Sequence, residues 1–375
     1  MSCSSSKQLN NGLQGPVSSI LAHIDSTYAP DKRTTVFNVL VDGQILKGET
    51  TSLTAKAELL RQLKLSGTSF IDSIVVLPST ELQAISALAN VSVANIRVQP
   101  DHKAELTTQA TMGTPLYLLK KQRGWYLVQT PDKYIGWVDA GAIHLMNKEH
   151  QMKWTLAQHV LFTAPYGIAY ADTNATQPIS DLVYGNIMIQ GNSTANGFLQ
   201  VIFPDGRSAY VNSSDCMNYT NWQLSRNPIA ENIVASAKKL LGIPYLWGGT
   251  SFKGVDCSGF TKTAYFMNGL ILPRDASQQV ALGTEIDTTN NWQNLQPGDL
   301  LFFGAKATDK RPERVVHLGM WLGNKEFIHA SGLVQIASLD PTSPNYDANE
   351  HRRFLRVKRI SPAAALYDLR TSFVY

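Results

Sequence analysis

Residues 254–266 read GVDCSGFTKTAYF and hold Cys257, one of three cysteines in a chain of 375 residues. After a glycine-broken turn, Phe260, Ala264 and either Tyr265 or Met267 fall on one face of a helix that starts at or near Cys257. Gly254 and Gly259 ease the turn and allow close packing. A sulfur at a helix start sits where backbone N–H groups point and the helix dipole is positive. That position favours the nucleophilic thiolate and leaves N–H groups free to hold an oxyanion. A cysteine that is only buried filler is the competing reading, so Cys257 needs partners.

A thiolate mechanism requires a group that can shuttle a proton, and histidine titrates in the right range. His317 lies in VVHLGMWLG and His329 in EFIHASG, both strand-like, joined by a GNK turn. A hairpin about Gly323-Asn324 brings the two rings to one face. Nucleophile, base and orienter are then all present, with an imidazole as third member.

The bulk composition excludes other chemistries. The net charge is +4 with 17% charged residues, and no Lys/Arg block marks a nucleic-acid footprint. Cys3, Cys216 and Cys257 are too few and too odd for a disulfide framework. No CxxC or HExxH motif occurs, so neither a metal nor another cofactor is expected. No apolar run approaches the roughly 18 residues that span a bilayer. The opening MSCSSSKQLNNG is polar and lacks the apolar core of a secretory signal. It reads either as an irregular start or as the remainder of a cut leader, with Cys3 as a lipid-anchored residue.

The organisation is expected to be modular. Residues 1–17 read as disordered and 18–86 as a small α/β unit of helix, hairpin at Asp42-Gly43, helix and strand. GWYLVQTPDKYIGWV from Gly124 and GFLQVIFPDGRSAYV from Gly197 align without gaps, pairing Trp125 with Phe198 and Trp137 with Tyr210. The repeat predicts two copies of one small β domain, over 87–146 and 151–218. Each copy resembles a bacterial SH3 domain, a small β-barrel, although Ala209-Tyr210-Val211 replaces the Gly-Trp-Val of the pattern in the second. NYTNWQLSRNP reads as a linker into a final α+β domain, 228–362, with helices first and antiparallel strands after. Residues 363–375 form a tail without an assigned task.

PYLWGGTSFKGVDCSGF, LQPGDLLFF, VVHLGMWLG and FIHASG together resemble the NlpC/P60 cysteine peptidases, which have a papain-like fold and cut bacterial cell-wall peptides. With SH3-like domains in front, the chain resembles the γ-D-glutamyl-L-diamino acid endopeptidases, the dipeptidyl-peptidase VI type. The resemblance implies Cys257 as nucleophile, His317 as general base and His329 as the residue that orients it. It places the Tyr245 hydroxyl at the oxyanion region, with a packed aromatic as the alternative. Trp247 shapes the cleft, while Asp256 and Asp299 are local or structural acceptors. Ser258 is a candidate for the substrate's γ-D-Glu, and Asp275 for the free amine of an N-terminal L-Ala. The serine usual after that aspartate is Ala276 here, with Ser277 one place later. Arg274 reads as a surface ion pair or as a partner of the substrate carboxylate. Tyr134 of the first SH3-like domain is the candidate for closing the cleft, with Tyr117 as the other possibility.

The implied reaction releases L-Ala-γ-D-Glu from peptidoglycan stem peptides, by a monomer without cofactor, at the bacterial cell envelope or periplasm, with the cytoplasm as the alternative. Two other readings use the same chain: an inactive wall-binding protein, or a papain-like amidase or acyltransferase on another substrate.

Overall fold

The computed structural model describes residues 16–372. Cys3 and most of the stretch read as a disordered start lie outside the described residues. Helix α1 (Pro16–Tyr28) begins two residues earlier than the sequence reading allowed, because Val17 and Ile24 bury one side of it. Strands β1 (Phe37–Asp42) and β2 (Ile45–Thr50) form the expected hairpin, with Gly43 at φ 62°. Helix α2 (Leu53–Leu65) is capped by Ser52, whose hydroxyl accepts from the Ala55 N–H. It crosses over to β3 (Ile71–Val76), which pairs in parallel with β2.

The next two units repeat one another. The first comprises β4 (Ser86–Ala89), β5 (Val93–Arg97), β6 (Leu106–Thr111), β7 (Pro115–Gln122), β8 (Trp125–Gln129), β9 (Ile135–Asp139) and β10 (Ile143–Leu145). After α3 (Lys148–Leu156) come β11 (His159–Phe162), β12 (Tyr166–Tyr170), β13 (Pro178–Val183), β14 (Ile187–Ala195), β15 (Phe198–Ile202), β16 (Ser208–Asn212) and β17 (Cys216–Asn218). The sheet orders are β10-β4-β7-β8-β9-β5-β6 and, read from its other edge, β17-β11-β14-β15-β16-β12-β13. Position by position these are the same connection pattern. The gapless sequence repeat is thus the central hairpin of each sheet, β8–β9 and β15–β16. Residues 151–156, placed in the second β unit from sequence, instead continue α3, with Trp154 buried.

The segment read as a linker is a packed helix, α4 (Tyr219–Leu224). Trp222 is fully buried and donates through Nε1 to the Tyr184 hydroxyl at 2.9 Å. Burying such a ring is worth on the order of 3 kcal/mol, enough to outweigh the polar neighbours that suggested a flexible stretch. One buried cluster runs without a break from Leu161, Val183 and Ile187 through Trp222 into the last domain.

That domain opens with α5 (Ala230–Lys238), followed by the short hairpin β18 (Thr250–Ser251) and β19 (Gly254–Val255). Helix α6 (Cys257–Phe266) is its buried centre. Strand β20 (Leu270–Ile271) and the four-residue helix α7 (Ala276–Gln279) follow. The sheet is β21 (Thr284–Ile286), β22 (Leu300–Ala305), β23 (Arg314–Gly323), β24 (Glu326–Ser331), β25 (Leu333–Ser338) and, after helix α8 (Ala348–Arg353), β26 (Phe354–Arg359). Its order, β21-β26-β22-β23-β24-β25, is antiparallel throughout. Within the tail, β27 (Tyr367–Asp368) pairs with β20.

Candidate active site

Cys257 opens α6 behind Asp256, whose Oδ1 accepts from the Gly259 N–H at 2.7 Å. Gly259 is required there, because a Cβ would stand 1.9 Å from the Gly249 carbonyl oxygen. Packing of α6 against β23 brings the backbone N–H of Leu318, together with that of Ser258, to the sulfur. Leu318 is the neighbour of His317, so the strand carries the imidazole to the thiol's surroundings. The β23–β24 hairpin, with Met320 opposite Ile328, brings the His317 Nε2 within 3.0 Å of the His329 Nδ1. The rings meet edge to face at 75°. Nδ1 of His317 is therefore the ring nitrogen not engaged with His329.

The electrostatics differ from the expectation of a ready thiolate. Burial of the sulfur, reinforced by the Asp256 carboxylate, pushes the Cys257 thiol up to about 12, against the opposing N–H groups of Leu318 and Ser258. Burial, with His329 beside it, pushes the His317 imidazole down to about 3. Burial alone takes His329 down to about 4. The Cys257 and His317 shifts both favour the uncharged forms, because burial outweighs the N–H groups at the helix start.

Arg274 is not on the surface. It is 1% exposed, and its Nη1 and Nη2 both reach Asp256, with Nη1 also donating to Ser258 Oγ at 3.0 Å. Asp256 thus caps α6, binds Arg274 and accepts from the Gly248 N–H at 2.9 Å. Asp299 is likewise an acceptor, held by Arg359 through Nε at 2.7 Å. The Tyr245 ring packs on the core, and burial, with Cys257 and Asp256 nearby, raises its hydroxyl above the ordinary range.

A cleft joins Cys257 and Ser258 to Arg274, Asp275, Ala276 and Ser277, at the N-terminal side of α7. Its far wall comes from the first seven-stranded sheet. The Tyr134 hydroxyl lies 3.3 Å from Asp275 Oδ2. Tyr117 is on a different surface, with Pro131, Lys133 and Tyr367. Trp247 donates through Nε1 to Glu105 Oε1 at 2.6 Å across the rim. Gly248, at φ +80°, lets the backbone of Leu106 approach, since a Cβ would meet the Leu106 carbonyl oxygen at 2.4 Å.

Sequence reasoning missed Arg33, Glu105 and Gln279. Gln279, fully buried, accepts from Thr261 Oγ1 at 2.7 Å and donates to the Ser258 carbonyl at 3.1 Å. Its place after Asp275 was a usable signal. Arg33 and Glu105 carried none, since both reach the cleft only through domain packing.

A thiol at a helix start, packed against a strand that carries one member of a histidine pair, is the arrangement a cysteine peptidase uses. Residues 242–353 match the model of the NlpC/P60 family, and residues 92–144 that of the bacterial SH3 domain. The gamma-D-glutamyl-L-lysine dipeptidyl-peptidase of Bacillus cereus is 31% identical over 251 residues, 64% of this chain and 72% of that protein. Dipeptidyl-peptidase 6 of Lysinibacillus sphaericus is 28% identical over 271 residues, 70% and 94% of the two chains. The crystal structure of an NlpC/P60 family protein from Bacillus cereus superposes with a TM-score of 0.62 at 26% identity, covering 74% of this chain and 100% of that one. The chain belongs to the NlpC/P60 family.

Proposed function

We propose that this enzyme hydrolyses the bond between γ-D-Glu and the diamino acid in peptidoglycan stem peptides with a free N-terminal L-Ala, releasing L-Ala-γ-D-Glu at the bacterial cell envelope. The observation that carries the reading is the closure of the Cys257 cleft by Tyr134 at Asp275. A cleft blocked on one side admits a short chain end, and a carboxylate at the block suits an ammonium. The names of the relatives support the same dipeptide-releasing reaction.

In this reading the Sγ of Cys257 attacks the γ-carbonyl carbon while Nδ1 of His317 takes the thiol proton. Attack and proton transfer are coupled, because neither the thiolate nor the imidazolium is favoured beforehand. His329, accepting from Nε2 of His317, holds the productive tautomer and orients the ring. In this reading the N–H groups at the α6 N-terminus hold the developing oxyanion, with the Tyr245 hydroxyl as their partner. The imidazolium gives its proton to the leaving amine, and the dipeptide remains as a thioester on Cys257. Water, deprotonated by His317, then adds to the thioester and frees the thiol. Ser258, Ala276 and Ser277 line the dipeptide side.

The test is incubation with L-Ala-γ-D-Glu-diaminopimelate and its N-acetylated form, with Cys257→Ala as control and products followed by mass spectrometry. Release of the dipeptide from the free-amine peptide alone, lost in the variant, is expected. Equal cleavage of both peptides overturns amine recognition, and cleavage by Cys257→Ala overturns the nucleophile.

A further inference from the structure

Asp275 is gripped from outside its own domain. Arg33, in the turn that leaves α1, donates from Nη1 to Asp275 Oδ2 at 2.7 Å and to Ser277 Oγ at 2.9 Å. Its other edge is held by Asp31, from Nε to Oδ1 at 2.7 Å and from Nη2 to Oδ2 at 2.8 Å. Asp31 Oδ2 also accepts from Gln278 Nε2 at 2.7 Å, on the same helix α7. The turn is pinned from behind by the first seven-stranded sheet. The Ile135 N–H donates to the Arg33 carbonyl at 2.6 Å, and Gln129 Nε2 to that of Thr34 at 3.0 Å. Ile135 follows Tyr134, whose hydroxyl is the other group on Asp275 Oδ2. One turn of the N-terminal unit thus spans both walls of the cleft's closed end.

Asp275 pairs with Arg33 Nη1 at 2.7 Å and lies 4.0 Å from Arg274 Nη1, but these two arginines also hold Asp31 and Asp256, so two cations meet three carboxylates and the cluster keeps one net negative charge. Arg33 is held on a planar fork by two carboxylates and so has little freedom to swing away. It can fix Asp275 without cancelling the negative charge that an ammonium needs. An Arg alone there, without Asp31, would neutralise the subsite.

We infer that Arg33 is a positioning residue for substrate specificity: with Asp31 it forms a charge-neutral clamp that sets Asp275 and Ser277 to receive the substrate's N-terminal ammonium. The inference rests on the free-amine reading above, and makes the N-terminal unit part of the recognition wall. A contact that merely fastened the domains would alter folding and leave selectivity alone.

The experiment compares full-length wild type with Arg33→Met, Arg33→Lys and Asp31→Asn. It measures kcat and KM on L-Ala-γ-D-Glu-diaminopimelate, kcat/KM on the N-acetylated peptide, and the melting temperature. Arg33→Met should raise KM for the free-amine peptide about tenfold, the effect of one charge-assisted hydrogen bond, with kcat nearly unchanged. Arg33→Lys should recover part of the loss. Asp31→Asn, nearly isosteric, should also raise KM because it leaves Arg33 unbalanced beside Asp275. Activity on the acetylated peptide should stay as in wild type, so discrimination narrows. A wild type without discrimination sinks the free-amine reading together with the clamp. A discriminating wild type whose KM survives both Arg33→Met and Asp31→Asn sinks the clamp alone. So does a loss shared equally by both peptides. If Arg33→Met fails to fold, Asp31→Asn decides.

Discussion

Cys257, His317 and His329 come from one domain, on a helix start and two adjacent strands. In the cleft that also holds Cys257, Asp275 comes from that domain, Tyr134 from the β8–β9 turn of the first repeated unit and Arg33 from the N-terminal unit. The Cys257, His317 and His329 side chains are buried, and burial lowers the imidazoles of His317 and His329. The closed end is part-exposed and built from ion pairs. The chemistry needs fixed geometry among few atoms, which one packed core supplies. Selecting a chain end needs a wall, and here a wall requires more than one domain.

The two repeated sheets make the same point. The first gives Tyr134, Glu105 and Thr107 to the cleft. Its outer aromatics Trp125 and Trp137 pack with Val36 and Leu77 of the N-terminal unit. Among the described residues that line the cleft none comes from the second, which instead joins Tyr184 to the core under α4. One connection pattern lines the cleft in one copy and packs into the shared core in the other.

The contrast between the two ends can be broken experimentally. The largest effect is expected for His329→Ala, which removes the acceptor on His317 Nε2. It should lower kcat about a hundredfold with little change in KM, measured on the free-amine peptide. A rise in KM without loss of kcat would move His329 to the binding side.

The next effect is on stability. Burial lowers the His317 and His329 imidazoles in the folded chain, so unfolding takes up protons as pH falls below their ordinary value near 6.5. His159 behaves alike, pushed by burial down to about 4. Stability should be full above about pH 6.5 and fall as pH drops toward 4, by about 2 kcal/mol per histidine at pH 4.5. Urea midpoints at pH 7 and pH 4.5 read it, and equal midpoints would show that the rings are hydrated and charged when folded. The smallest effect is expected for Tyr134→Phe, which takes one hydroxyl from Asp275 and should raise KM for the free-amine peptide about threefold to tenfold. Unchanged KM would leave Tyr134 as wall only.

Much of the reacting end was legible because its signals are local. The Asp256 cap, the glycines around Cys257 and the GNK turn between His317 and His329 each act within a few residues of the chain. The repeat was legible for a related reason, since a hairpin carries its own strand pattern and turn. The linker was misread because Trp222 looks solitary among polar residues, and its burial depends on Tyr184 and Phe266 from other units. Arg274 was misread because its balancing partner, Asp256, lies on the other side of the nucleophile helix.

The sequence alone determined the order of domains, the helix that presents Cys257 and the strand pair that carries its histidines, since short-range hydrogen bonding and hydrophobic period dictate these. Only the tertiary structure decided the protonation of the site and the make-up of its closed end. Burial sets the first, and the meeting of Arg33, Tyr134 and Asp275 sets the second. Neither exists until distant segments exclude water together.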